Sequence, residues 1–245
     1  MSKLQFNTEK KLSYYDKEKI CDFLFSDAIG NGKEFWHVCT PGDGQELILR
    51  DREICEFAMN ATWLSACDTP GLEIYTFEWM SNHFHALVSG TEQQARDFIE
   101  QIRKRLRTFS SRSGHKIDLK KFVCSGPISI DSLSSFRNTV VYINRNNYVV
   151  DSRETPFSYP YGANGFFFNP LACRFANGKF GDLTVISKRR ITRSHNIEYP
   201  NDAALIDGYV SPVCYCNLKF AEKMFRDARH YFSMLSKPME SSLGR

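Results

Sequence analysis

A chain of 245 residues has room for one large domain, or for a domain with an appendage. Its 42% hydrophobic and 14% aromatic content is ample for a packed core, and a formal net charge of +4 is too small to establish a nucleic-acid partner by itself. No apolar run approaches the roughly 20 residues a membrane-spanning helix needs, and the N-terminal residues lack an apolar signal region. The eight cysteines show neither paired CxxC knuckles nor a dense disulfide framework. The chain therefore reads as soluble and cytoplasmic, with no membrane partner and with reduced, mostly buried thiols. Cys214-Tyr215-Cys216 is a close pair but, alone, a weak metal signal.

Residues 1–34 read as a polar leader with a short helix around Tyr14–Phe25, stopped by Gly30-Asn31-Gly32. Phe35–Thr40, aromatic and β-branched, reads as a strand that Pro41-Gly42-Asp43-Gly44 ends. Ile54, Phe57, Ala58, Ala61, Trp63 and Leu64 recur at helical spacing between Asp51 and about Cys67. Asp68-Thr69-Pro70-Gly71 breaks that helix. Leu72–Trp79 and His83–Val88 pair as an antiparallel hairpin around a Ser81-Asn82 turn. Thr91 and Gln94 form a capping box for a helix running to about Phe109. Residues 114–130 are irregular, with Phe122-Val123-Cys124 the best strand candidate. Asp131 or Ser132 then caps a helix through Leu133, Phe136, Val140 and Val141 to about Asn147. A turn-rich loop, Pro156–Gly165, follows. Near the end, Asn217–Leu235 is amphipathic, with Phe220, Met224, Phe225, Ala228, Tyr231 and Phe232 on one side. The last residues, Ser241–Arg245, carry no terminating feature and leave a continuation open. The element order predicts an α+β domain of ferredoxin-like arrangement over residues 35–165: an antiparallel sheet with helices on one face. Residues 166–245 add a C-terminal helical extension whose role is open.

Chemistry concentrates in Met80-Ser81-Asn82-His83-Phe84-His85-Ala86-Leu87-Val88. Strand alternation puts His83 and His85 on one face and Phe84 into the core behind them. Two neighbouring imidazoles make half of a metal site, and two are too few for a closed structural zinc site, so positions remain open for phosphate oxygens. In Val140-Val141-Tyr142-Ile143-Asn144-Arg145-Asn146, Tyr142 and Asn146 lie one helical turn apart. A metal with a tyrosine suggests phosphoryl transfer through a covalent tyrosine intermediate, with Tyr142 as nucleophile and Asn146 as a third, oxygen ligand. Tyr148, with Asn144 one turn before it, is a rival nucleophile whose ligand falls on the wrong side. Glu78 could face the metal, with a solvated or salt-bridged surface carboxylate the favoured reading; His37 on the first strand and His115 in the basic segment could also approach the site, with structural or phosphate-contacting roles favoured.

Charge is clustered. Arg103, Lys104, Arg105, Arg107, Arg112 and Lys116 fall in one stretch, and Lys188-Arg189-Arg190 with Arg193 in another. Such cations suit single-stranded DNA, with Phe166-Phe167-Phe168, Tyr159 and Tyr161 as candidate stacking faces, although core packing is the plainer role for the Phe run.

These residues resemble a known group. The stretch from Met80 to Val88 is similar to the histidine strand of the IS200-like transposases, the single-tyrosine HUH endonucleases. Phe35-Trp36-His37-Val38 resembles their first strand and Tyr142–Asn146 their tyrosine helix. The Tyr-x-x-x-Asn form and the Phe157–Tyr161 loop are closer to the REP-associated tyrosine transposases. The resemblance covers roughly residues 35–165, with Ser81 and Asn147 standing where the family usually has proline. It implies Mg or Mn as cofactor, single-stranded or hairpin DNA as partner, and nicking through a 5′-phosphotyrosine link. His83, His85 and Asn146 would hold the metal, and Tyr142 would be the nucleophile. It leaves a homodimer open, as insertion-sequence relatives work as dimers. A rolling-circle replication initiator and a DNA-binding module without cleavage are the rival readings.

Overall fold

The computed structural model describes residues 12–43, 45–146 and 157–237. Residues 1–11 of the leader, Tyr148, Pro156 and Ser241–Arg245 lie outside the described residues.

Helix α1 (Tyr14–Gly30) starts at a capping box between Ser13 and Asp16 and stops at Asn31, where Gly32 turns the chain at φ +81°. Strand β1 (Phe35–Cys39) leads through a loop to α2 (Arg52–Cys67), whose first turn is capped by Asp51. Strands β2 (Glu73–Trp79) and β3 (Phe84–Ser89) form the expected hairpin, closed by a hydrogen bond of 2.8 Å from Met80 N–H to the His83 carbonyl. The Thr91–Gln94 box opens α3 (Glu92–Ser113). Strand β4 is Ile128–Ile130, not the Phe122-Val123-Cys124 run. Phe122 is instead a buried plug, stacked on Trp79 at 5.6 Å. Its hydrophobicity is used on one side only, as loop filling, and no strand pairs with it. Helix α4 (Leu133–Asn144) is capped by Ser132, and the expected end, Asn147, lies outside the described residues.

The sheet order is β2-β3-β1-β4, all antiparallel, which is the ferredoxin-like order. Along β1, Phe35, His37 and Cys39 point to one face and Trp36 and Val38 to the other. The register sets Cys39 opposite His85, and Glu78 opposite His85 on the far side. The crossover helices α2 and α3 form the expected single-face layer. Phe84 meets Phe98 of α3 at 6.2 Å, and Trp79 donates to Thr62 of α2 at 2.9 Å. The second face, which carries the histidines, is roofed by α4 and α1. Phe35 packs against Phe25 at 5.4 Å and Phe136 at 5.2 Å, so helices cover both faces. Both faces of β2 and β3 are accordingly apolar-rich and buried, and each large side chain removed from water there contributes about 1.5–3 kcal/mol.

A register shift between Ile74 and Thr76 makes Tyr75 an extra residue in β2. Such a bulge lets two consecutive side chains serve one face. Tyr75 packs on Phe35 and Phe136, and Thr76 donates its hydroxyl to Asn144 of α4.

The later chain adds η-turns, a short helix α5 (Val185–Thr192) and a small sheet of β5 (Gly178–Lys179), β6 (Ala204–Ile206) and β7 (Tyr209–Val210). The expected single helix Asn217–Leu235 is two: α6 (Leu218–Lys223) and α7 (Ala228–Leu235). The amphipathic pattern runs through the break, but Asp227 caps His230 N–H at 3.0 Å, and Arg137 of α4 takes the Met224 carbonyl as acceptor. Capping and a tertiary hydrogen bond outweigh propensity over so short a stretch. Residues 161–163 and 216–217 bond to β2 through Trp79 N–H, Phe77 O and Ile74 O, covering its outer edge. Met224, Phe225 and Tyr231 belong to the same buried cluster as the sheet, and the partly buried Phe220 packs against it.

Candidate functional site

The site lies at the β1/β3 centre of the face under α4. Because Cys39 and His85 are directly opposed and His37 sits two residues before Cys39, their side chains converge. One ligand atom of each lies within 4.8 Å of the others. His37 Nε2 is 3.1 Å from His85 Nδ1, and the two rings stack at 5.3 Å. Tyr142, on the last turns of α4, sets its ring edge-on to both, at 5.8 Å from His37 and 5.4 Å from His85. It remains 39% exposed, so its phenol is open to a ligand from outside.

His83 sits just before β3. Its ring meets His85 edge-on at 4.9 Å, while Nδ1 lies 2.7 Å from Asn82 Oδ1. Asn82 in turn donates to the Gly42 carbonyl at 2.9 Å. A Cβ on Gly42 would come within 2.8 Å of His83 Nδ1, so this close approach requires glycine. Asn146 follows the end of α4, with Nδ2 buried and without a hydrogen-bond partner. Glu78 is not a surface carboxylate: it is buried, faces the same side as His85, and runs against Gly162. His115 is remote, held between Asp51 and Glu53 and stacked on Phe109.

Burial drives the His37 imidazole down to about 4, and burial followed by the charges of His37 and His83 drives His85 down to about 3. Burial lowers His83 too, against the opposing pull of Asp43. At neutral pH these rings are neutral, each with one ring lone pair, and His37 Nε2 and His85 Nδ1 share a hydrogen bond that a bound metal would replace. Burial, then the Cys39 thiol, raises the Tyr142 phenol, and burial raises Cys39 itself. The phenol therefore needs a nearby positive charge before it becomes a nucleophile.

His37 and Cys39 are the residues the sequence reading undervalued. The signal was present: Trp36-His37-Val38-Cys39 alternates on a strand, so both polar side chains share a face.

The six cations singled out in the sequence do not gather at Tyr142. They lie on or just beyond α3, across the sheet. Arg103 bonds to Leu119 O and Glu100, and Arg105 to Asp68 and Tyr199. Lys104, Arg107, Arg112 and Lys116 are exposed. Arg112 donates to the Arg193 carbonyl at 2.7 Å, joining the two basic clusters across a groove of about 250 Å³ lined by Lys104, Arg105, Arg112 and Arg193. Phe157, Tyr159, Phe166, Phe168, Phe175 and Phe232 line a separate hollow of about 490 Å³. Among the described residues, no helix is long and apolar enough to cross a membrane.

Fold and site together define an α+β protein that sets a tyrosine over a cluster of histidine and cysteine able to hold a metal. No protein-family model and no curated protein matches the chain. Among solved structures, that of a REP-associated tyrosine transposase bound to a REP hairpin is similar, with a TM-score of 0.38 and 16% identity over 54% of this chain and 75% of that one.

Proposed function

We propose that the protein is a metal-dependent, tyrosine-type endonuclease and strand transferase for single-stranded, hairpin-bearing DNA. The observation that carries this reading is the Tyr142 ring, exposed on one side and edge-on to the His37 and His85 rings on the other. A phosphodiester laid over this face would meet the phenol and the imidazole cluster together. Tyr142 Oη bonds to phosphorus as the P–O3′ bond breaks. The phenol gives up its proton to solvent, the departing 3′ oxygen takes one proton from solvent and leaves as a hydroxyl, and the 5′ phosphate stays on the tyrosine. Attack by a 3′ hydroxyl on that phosphotyrosine reverses the step and joins strands. A cation bound at the cluster would polarise the phosphate and ease ionisation of the phenol. Mg or Mn is the ion expected for a nitrogen-and-oxygen set of His83, His85 and Asn146.

The exposed cations of α3 and α5 serve the same reading as a phosphate-binding surface behind the sheet. Residues 166–237 act as a brace: Asn144 donates at 2.8 Å to Tyr231, whose hydroxyl donates to Asn164, and Arg137 donates to the Met224 carbonyl. These contacts hold the helix that carries Tyr142.

The test is a labelled hairpin-bearing single strand incubated with protein and Mn. A covalent protein–DNA adduct, lost in Tyr142→Phe while the fold persists, supports the reading. An equal adduct yield from Tyr142→Phe overturns the nucleophile, and tight binding without adduct in any metal favours a binding module. Light scattering with and without DNA distinguishes one copy from two.

A further inference from the structure

We infer that His37, Cys39 and His85 form a thiolate-containing metal site selective for a borderline ion of the zinc class, Zn²⁺ or Co²⁺, rather than for Mg²⁺. The inference concerns the same site as the nuclease reading but rests on donor geometry, independent of any DNA chemistry.

Three observations carry it. First, the residues assemble by backbone register. Cys39 and His85 are direct partners in the β1/β3 ladder, and His37 is the diagonal neighbour on the same face. The donor positions are fixed by the sheet and do not depend on a loop. Second, the spacing is near that of a tetrahedral site. His37 Nε2 and His85 Nδ1 are 3.1 Å apart, while two nitrogens at the usual Zn–N distance subtend about 3.3 Å. The thiol lies within the 4.8 Å span of the group. Third, the donor chemistry is two imidazoles and one sulfur. Thiolates select Zn²⁺ and Co²⁺, whereas Mg²⁺ and Mn²⁺ seek carboxylate, carbonyl and water oxygens.

The alternative set of His83, His85 and Asn146 fits less well. His83 bonds through Nδ1 to Asn82 and keeps only Nε2 for a metal, the three residues are not held together by one strand ladder, and the set carries no sulfur donor. Glu78, opposite His85, runs against Gly162 and is not part of the group found among the described residues. With three protein donors the fourth position stays open, as in catalytic zinc sites. Tyr142 stands beside the cluster, edge-on to both imidazoles.

The experiment is titration of the metal-free full chain with Co²⁺, read by electronic absorption. Wild type is expected to show a near-ultraviolet thiolate-to-cobalt band with intense visible bands of a tetrahedral centre. Cys39→Ser should lose the thiolate band and weaken Zn²⁺ binding by more than the roughly 10–100-fold that loss of an outer-shell partner costs. His83→Ala and Asn146→Ala should keep both bands. Far-ultraviolet circular dichroism checks folding, and His37→Gln supplies the same reading should Cys39→Ser not fold. Pale octahedral bands in wild type overturn the inference. So does a thiolate band that survives Cys39→Ser, which would place the ion at another of the free cysteines. So does a spectrum abolished by His83→Ala but kept in Cys39→Ser. The covalent-adduct assay is separate, so a zinc-class site without nuclease activity, or activity without this site, is told apart.

Discussion

Tyr231 gives the sharpest test of how the tyrosine helix is held. Its ring is fully buried, stacked on Phe167 at 5.3 Å. Its hydroxyl accepts from Asn144 Nδ2 at 2.8 Å and donates to Asn164 Oδ1, and Asn144 also accepts from Thr76 on β2. Tyr231→Phe keeps the ring and creates almost no cavity, so packing terms nearly cancel. It removes one oxygen and leaves the Asn144 amide buried without its acceptor. Stranding a buried donor costs about 1–3 kcal/mol. We expect a loss near 2 kcal/mol, within that range of about 1–3. For a domain of this size, about 2–4 °C of Tm accompanies each kcal/mol, so Tm should fall by about 4–8 °C. Equilibrium urea unfolding and calorimetry read the two quantities. A double-mutant cycle with Asn144→Ala should show coupling of at least about 0.5 kcal/mol, since the residues share one hydrogen bond. A Tyr231→Phe protein within about 0.5 kcal/mol of wild type, the range of an ordinary surface change, would refute the idea that this chain of hydrogen bonds braces α4.

Tyr142→Phe should abolish adduct formation while leaving stability within about 0.5 kcal/mol, because the side chain is 39% exposed; loss of folding would show instead that the phenol is structural. The His37 and His85 imidazoles fall from 6.5 to about 4 and about 3 in the fold. The unfolded chain therefore binds more protons below pH 6.5, and the metal-free protein should lose stability as pH drops from 6.5 towards 4. With both groups the slope approaches about 2.7 kcal/mol per pH unit, read by urea unfolding in chelator; a flat profile there would contradict the burial of these rings. Gly42→Ala forces a methyl to within 2.8 Å of His83 Nδ1, so adduct yield should drop if His83 serves catalysis, while the cobalt spectrum stays unchanged. Replacing Arg107 and Arg112 by Gln should weaken DNA binding across sequences and lower the salt slope by about 1 per lost phosphate contact; an unaltered slope removes α3 from the DNA-binding surface.

The amino-acid sequence by itself determined most of the ferredoxin-like layer. The hairpin from Glu73 to Ser89, the Thr91–Gln94 box and the amphipathic α2 are local patterns, set by period and capping within a few residues. Tyr142 and the histidines were visible for the same reason: they sit in short motifs. What the chain alone did not reveal depends on register and on distant contacts. The pairing of Cys39 with His85 is set by how β1 slides against β3, which no spacing within either strand encodes. The Tyr75 bulge puts Thr76 on the face that plain alternation denies it. The division of the last helix follows from Asp227 and from Arg137, a residue 87 positions before the carbonyl it holds. Local propensities are worth tenths of a kcal/mol per residue, whereas a buried hydrogen bond left unmade costs one or more, so the tertiary terms decide wherever the two compete.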